Sequence, residues 1–400
     1  MNPRRILIFS FAYYPRFVGG AEVAIKEITD RIRPSDIEFD LISLRLDPRL
    51  PETERIGNVN VYRVGWTMKK RFSTDSLPFW LHLNKYFYLW TGVRKALFLQ
   101  RTRNYDAIWS LMATYSSFAA VIFKIIKPKI PFFFTLQDGD PIPYIKRRAA
   151  PLYPLFKMMF TGADHIQTIS KYLADWARDM GAKCPITVVP NAVDYALFSK
   201  GISDAEAAAL KEKIGKKEGD ALLITTSRLV VKNAVGDIIS ALQYLPANVK
   251  LVILGQGYQE NELKMQSEKL KIADKVKFLG YVPHKEMPAY LHISDIFIRP
   301  SLSEGFGNSF IEAMAAGIPV IATPVGGIPD FLTDGQTGLF CEVGNPKSIA
   351  QKVEKLMKDA ESREYIVTNA RKMVEEKYDW KRIAGEMESV FRSVMLGSSI

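Results

Sequence analysis

The sequence predicts an α/β protein of two doubly wound halves, each a mostly parallel sheet covered on both faces. Three observations carry this prediction. The chain has 400 residues, which suits two domains of about 200 residues better than one. Apolar runs of strand length alternate with helical patterns through the first half, and the second half repeats the scheme. The halves join at 190–203, and a hydrophobic content of 48% is ample for two cores.

In the first half the strand segments are 6–10, 37–44, 59–64, 106–111, 131–136, 165–169 and 186–189. The opening residues MNPRRILIFSF resemble a charged leader before an apolar core, but the run is too short for a signal peptide and reads as a first strand. Between the first two strands, Ala21, Ala24, Ile25, Ile28 and Ile32 mark the buried face of a helix over 21–33. The second-half strands are 221–226, 249–254, 276–279, 295–298, 320–323 and 339–340. Segment 205–217 reads as a surface helix, Asn345 as an N-cap with Pro346 at the first helical position, and 378–396 as a last helix with Trp380 near its start. No run of about 18 or more apolar residues occurs, so no membrane-spanning helix is expected.

A net charge of +11 and a pI near 9.3 imply an anionic partner: nucleic acid, anionic lipid or a phosphorylated substrate. The cations gather among large aromatics in two places. Segment 69–103 sets Phe72, Phe79, Trp80, Tyr86, Phe87, Tyr88, Trp90 and Phe98 among Lys69, Lys70, Arg71, Lys85, Arg94, Lys95, Arg101 and Arg103. Segment 146–160, KRRAAPLYPLFKMMF, has the same flavour. Such a mixture suits an anionic membrane surface, where charges meet lipid phosphates and rings sit at the headgroup level. It equally suits a core helix with a solvated basic face. Single-stranded nucleic acid would also accept it, but no nucleic-acid module is recognisable, so no nucleic-acid partner is expected. Cys184 and Cys341 lie far apart with no metal or redox spacing, which fits a reducing, cytoplasmic setting. His82, His165, His284 and His292 show no metal-ligand spacing either.

The most informative stretch is 299–327, RPSLSEGFGNSFIEAMAAGIPVIATPVGG. Glu304 and Glu312 flank a loop with Gly305 and Gly307 that runs into a helix. Asn308 or Ser309 is the expected N-cap, Phe310, Ile311, Ala313 and Met314 the buried side, and Gly317 the stop. The helix N-terminus offers backbone N–H groups and a positive dipole end to a phosphate. Glu304 lies before the helix and Glu312 about a turn inside it, so each carboxylate reaches a different part of a ligand. Elsewhere Gly19 and Gly20 follow the first strand, Arg228 and Lys232 follow 221–226, and Gly255 opens a Gly-x-Gly turn after 249–254.

Glu304, seven intervening residues and Glu312, then AMAAGIPVIAT and GGIPD, resemble the signature of the family-4 retaining glycosyltransferases of group 1, which have the GT-B fold. The resemblance is clearest over 191–378. It implies two Rossmann-like domains facing across a cleft: 1–189, binding the acceptor and joined by the last helix 379–400, and 190–378, binding the donor. The implied activity is retaining transfer of a sugar from a nucleotide diphosphate sugar to a saccharide or lipid-linked acceptor, in cell-surface polysaccharide or glycolipid synthesis. No cofactor and no metal are implied, and the enzyme would be cytoplasmic or peripheral on the inner membrane face.

By the same resemblance, Gly19 and Gly20 face the donor diphosphate, and Arg228 and Lys232 neutralise it as it leaves. Gly255 faces the nucleoside, and the loop of Val282 borders the base. Glu304 holds sugar hydroxyls, Glu312 holds the ribose, backbone N–H groups of Phe306, Gly307, Asn308, Ser309 and Phe310 grip sugar and diphosphate, and Gly305 belongs to the same donor site. Two departures stand out. Asn233 and Ala234 occupy the places of a Lys-Gly pair, with Lys232 one position early. Gln137 stands where many relatives carry a histidine, and an amide cannot act as a general base; Asp138 is the nearest candidate to grip an acceptor hydroxyl. Two rival readings share the fold: a nucleotide-sugar epimerase, needing no acceptor, and a binding or scaffold protein with a decayed site.

Overall fold

Runs of Ile, Leu, Val and Phe that are too apolar to face water on either side become the strands of two largely parallel sheets. The computed structural model describes residues 3–16, 19–66 and 79–397. The chain divides into one unit of Met1–Asn191 with Trp380–Ile400 and a second of Ala192–Asp379.

The first unit holds β1 (Arg4–Phe9), β2 (Ile37–Leu44), β3 (Thr53–Ile56), β4 (Val59–Val64), β5 (Ala107–Leu111), β6 (Phe132–Leu136), β7 (His165–Thr168) and β8 (Ile186–Val188). Their order across the sheet is β3-β4-β2-β1-β5-β6-β7-β8. Every pairing is parallel except β3 with β4. β3, of sequence TERI, was not among the expected strands; it is a charged edge strand with no apolar repeat to announce it. The expected helix over 21–33 is Gly20–Arg31, and Ile32 turns extended to close it.

The helix Trp380–Gly397 belongs to this first unit. Phe391 explains why: its ring sits 4.9 Å from Trp109, 5.2 Å from Phe133 and 5.9 Å from Phe39, edge-on to aromatics of three different strands. Of the first basic-aromatic segment, Lys69, Lys70, Arg71 and Phe72 lie outside the described residues. The rest forms the helix Phe79–Arg103, and the second segment forms Ile142–Ala149 and Tyr153–Thr161.

The second unit holds β9 (Ala221–Thr226), β10 (Val249–Leu254), β11 (Val276–Gly280), β12 (Ile296–Arg299), β13 (Val320–Ala322) and β14 (Leu339–Phe340), all parallel, in the order β11-β10-β9-β12-β13-β14. Its core packs Leu223, Ile253, Ile298 and Ile321 against Ile238, Ile349 and Val353 of the covering helices. The surface helix is Asp204–Ile214, capped by Ser203, and Asn345 caps Pro346–Lys358 by accepting from the N–H groups of Lys347 and Ser348.

Candidate functional site

In a parallel sheet the carboxyl ends of the strands share one edge, and a crevice opens where the strand order reverses direction. In the second unit that reversal falls between β9 and β12. The loop after β9 carries Arg228 and Lys232; the loop after β12 carries Glu304. The two are stitched together, since the Leu302 N–H donates to the Lys232 carbonyl at 2.7 Å.

The turn after β10 braces the first of these loops. A Cβ on Gly255, whose φ is +141°, would lie 1.8 Å from the Ser227 carbonyl oxygen, and one on Gly257 would lie 2.2 Å from that of Leu229. Glycine is therefore required at both places for the backbones to pass so closely. The Leu229 N–H donates back to the Gln256 carbonyl at 3.0 Å. Arg228 is exposed and Lys232 half-buried on this braced loop. Ala234 adopts φ +49°, the left-handed conformation that explains a glycine at this motif place; alanine tolerates it at a cost of about 1 kcal/mol.

Glu304 is only 8% exposed. Its Oε2 accepts from Arg299 Nη2 at 2.6 Å and its Oε1 from the Gly305 N–H at 3.1 Å. Its carbonyl accepts from the Gly327 N–H at 3.1 Å, while a Cβ on Gly326 would lie 1.8 Å from that same oxygen. The GGIPD turn thus clamps the Glu304 backbone from the far side. Arg299 Nη1 donates to Ser309 Oγ at 2.8 Å, and Nη2 also donates to Asn233 Oδ1 at 2.9 Å.

Two expectations about the helix are corrected. Its N-cap is neither Asn308 nor Ser309 but Gly307, at φ +98°, and the helix is Asn308–Ala315. A Cβ on Gly307 would lie 2.5 Å from the Phe310 ring, so the chain folds under that ring and helical geometry starts one residue early. The Phe310 N–H donates to the Gly307 carbonyl at 3.1 Å, and the Gly305 N–H to Glu304, so neither is available to grip a ligand. The N–H groups of Asn308 and Ser309, in the first turn, have no intrahelical acceptor. Phe306 and Phe310 are buried, both against Phe331. Gly317, at φ +79°, follows the helix end as expected.

Glu312, one turn inside, has Oε1 at 3.0 Å from His284 Nε2. His284 belongs to the loop after β11 that also carries the buried Val282. The fold therefore brings Arg228, Lys232, Gly255, Val282, Glu304 and Glu312 to one edge of one sheet. Reasoning from sequence missed Arg299 and His284. An arginine ending an apolar strand five residues before Glu304 was a usable signal; nothing local links residues 284 and 312.

The first sheet has its own reversal, between β1 and β5. After β1, Gly19 and Gly20 are exposed and a Cβ on Gly20 would meet nothing. The Gly19 N–H is taken by Glu22 Oε2 at 2.7 Å, and burial pushes the Glu22 carboxyl above its ordinary range against the pull of that bond. After β5 and β6, Asp138 is buried, its Oδ2 accepts from the Ala113 N–H at 3.0 Å, and with Thr114, Tyr115, Asp140 and Arg148 it lines a cavity of about 50 Å³. Gln137 Oε1 is buried without a hydrogen-bond partner. Among the described residues no group of three or more His, Cys, Asp or Glu is placed to hold a metal ion, and no helix is long and apolar enough to cross a membrane.

Comparison with known proteins gives two family matches: glycosyl transferases group 1 over residues 206–373, and glycosyltransferase family 4 over residues 18–197. An uncharacterised glycosyltransferase of Methanocaldococcus jannaschii is 27% identical over 401 residues, covering 98% of each chain. The alpha-monoglucosyldiacylglycerol synthase of Streptococcus pneumoniae is 28% identical over 328 residues, 80% of this chain and 70% of that protein. Among solved structures, Anabaena HepE in complex with UDP and glucose superposes with a TM-score of 0.77 at 20% identity, over 98% of this chain and 100% of that one. The two parallel-sheet α/β units are those of the GT-B fold.

Proposed function

We propose a reaction for this chain, which belongs to the glycosyl transferases group 1 with a first half of glycosyltransferase family 4: it moves a sugar from a nucleotide diphosphate sugar to a saccharide or lipid-linked acceptor, with retention at the anomeric carbon. The observation that carries the reading is the convergence of two carboxylates, two cations and a helix N-terminus on the reversal point of the second sheet. Glu312, with Oε1 at His284, takes ribose hydroxyls on its other oxygen. Glu304, fixed by Arg299, takes sugar hydroxyls. Arg228, Lys232 and the first-turn N–H groups neutralise the diphosphate as it departs.

Transfer then proceeds on one face. The bond from the anomeric carbon to the β-phosphate oxygen breaks as the acceptor oxygen bonds to that carbon, and the departing phosphate takes the acceptor's proton. No side-chain base is required, which is consistent with glutamine at 137. The reading assigns no cofactor and no metal. It gives acceptor binding to the first unit, where Asp138, lining the cavity after β5 and β6, is the nearest candidate to grip an acceptor hydroxyl. The test is thermal melting with UDP-glucose, UDP-N-acetylglucosamine, GDP-mannose, ADP-glucose and dTDP-glucose. One of them at about 100 times its Kd stabilises the chain by about 2.7 kcal/mol; no shift with any of them contradicts the reading. A product whose altered sugar stays on the nucleotide would instead favour an epimerase.

The acceptor is placed at an anionic membrane on the cytoplasmic side. The helices Phe79–Arg103 and Tyr115–Ile126 border an apolar groove of about 730 Å³, floored by Leu89, Val93 and Ile122 and rimmed by Arg94 and Arg101, with Trp90 and Phe98 exposed. Neither helix contains an acidic residue, and Arg94 lies over the Trp90 ring at 5.3 Å. Sedimentation with phosphatidylglycerol vesicles is expected to weaken steeply between 50 and 500 mM salt, to settings chosen around the roughly 10 Å screening length at 0.1 M. Absence of binding at every salt concentration would remove the membrane from the account.

A further inference from the structure

β12 ends on an arginine whose neighbours Ile296, Phe297 and Ile298 are buried. The Arg299 side chain is itself 12% exposed. Its guanidinium serves three pieces of chain at once: Asn233 Oδ1 on the loop after β9, Glu304 Oε2 on the loop after β12, and Ser309 Oγ on the first turn of the helix. Its Nε–H is buried with no hydrogen-bond partner. Asn233 in turn reaches back, its Nδ2 donating to the Arg228 carbonyl at 2.6 Å. A continuous bonded path thus runs from Glu304 through Arg299 and Asn233 to the residue that carries the exposed cation.

We propose that Arg299 is a positioning residue of the donor site, holding the Glu304 carboxylate where it clasps the sugar. The inference rests on the reading of Glu304 as the sugar ligand. It also accounts for the altered motif. Where the resembled pattern has lysine at place 233, this chain has a neutral side chain, and the cation beside Glu304 arrives from the adjacent strand instead. A planar guanidinium can satisfy three acceptors in fixed directions; an ammonium extended from residue 233 would act on Glu304 as a point charge.

Calorimetric titration of UDP, GDP, ADP and dTDP and their glucose or mannose conjugates separates the outcomes. Arg299→Met is expected to weaken the nucleotide sugar by about 10-fold or more and the bare nucleoside diphosphate by less than about 3-fold, because the sugar contact is what it disorders. Asn233→Lys added to Arg299→Met restores nucleotide-sugar affinity to within about 3-fold of the parent, since the lysine returns a cation to Glu304. Arg299→Lys keeps the charge and the fold but not the fork, and loses about 3- to 10-fold for the nucleotide sugar alone; it decides the question if Arg299→Met melts below the assay temperature. Parental affinity in Arg299→Met or Arg299→Lys overturns the inference, as does equal loss for sugar-bearing and bare nucleotides. A double variant that melts like the parent yet binds as weakly as Arg299→Met overturns it too. If the parent chain binds none of these nucleotides, the donor reading itself falls, and this inference with it.

Discussion

Glu304→Gln lowers the rate of sugar transfer by about 100- to 1000-fold, the scale of losing one preorganised charged contact in a transition state. The amide matches the carboxylate in size, and its oxygen still accepts from Arg299; only the bond from the Gly305 N–H is lost, so the loop keeps its place. What it lacks is the negative charge opposite the positive charge that grows on the sugar as the diphosphate leaves. The bare nucleoside diphosphate, which does not touch this position in the proposed arrangement, keeps its affinity within about 3-fold. Glu312→Gln behaves differently, weakening the nucleoside diphosphate as well as the sugar conjugate because its proposed contact is to the ribose. Initial rates and calorimetry on both variants, with melting curves as the folding control, separate the two carboxylates. Equal effects of the two substitutions on rate and affinity would undo their separate roles.

Phe391→Ala destabilises the first unit by about 3–5 kcal/mol, the cost of emptying a buried aromatic site that cannot collapse. The ring is 1% exposed and touches aromatics from β2, β5 and β6. Those strands and the helices that cover their other faces are fixed, so little can move into the space. For a unit of this size the loss lowers the melting transition by roughly 10 °C. Nucleotide binding by the second unit persists at temperatures below that transition, because the proposed contacts of Arg228, Lys232, Glu304 and Glu312 all lie within Ala192–Asp379. Differential scanning calorimetry reads both transitions, and an unmoved first-unit transition would mean that the last helix does not contribute to that core.

The contrast between these residues shows what a sequence displays and what it conceals. Strands such as 37–44 and 249–254 are legible because a parallel sheet buried on both faces demands a short, mostly apolar run. β3 is illegible because an edge strand of charged residues has no such demand. Glu304 and Glu312 stand out through their spacing around a glycine-rich loop. The helix start is misjudged by propensity, since Asn308 and Ser309 are good caps in isolation while the Phe310 ring presses glycine into the capping place. Ala234 is read as a departure, yet its backbone holds the left-handed turn that a glycine would take. Arg299 and His284 act through partners 66 and 28 residues away, Asn233 and Glu312. Only strand order brings those pairs together, and strand order is not written in any local pattern.

A crystal of the chain grown with the nucleotide sugar that gives the largest melting shift tests the central claim most directly. The account predicts the ribose hydroxyls at Glu312, the sugar hydroxyls at Glu304, and the diphosphate between Arg228, Lys232 and the N–H groups of Asn308 and Ser309. A nucleotide bound elsewhere, with Glu304 still turned to Arg299 and touching no sugar, would contradict it.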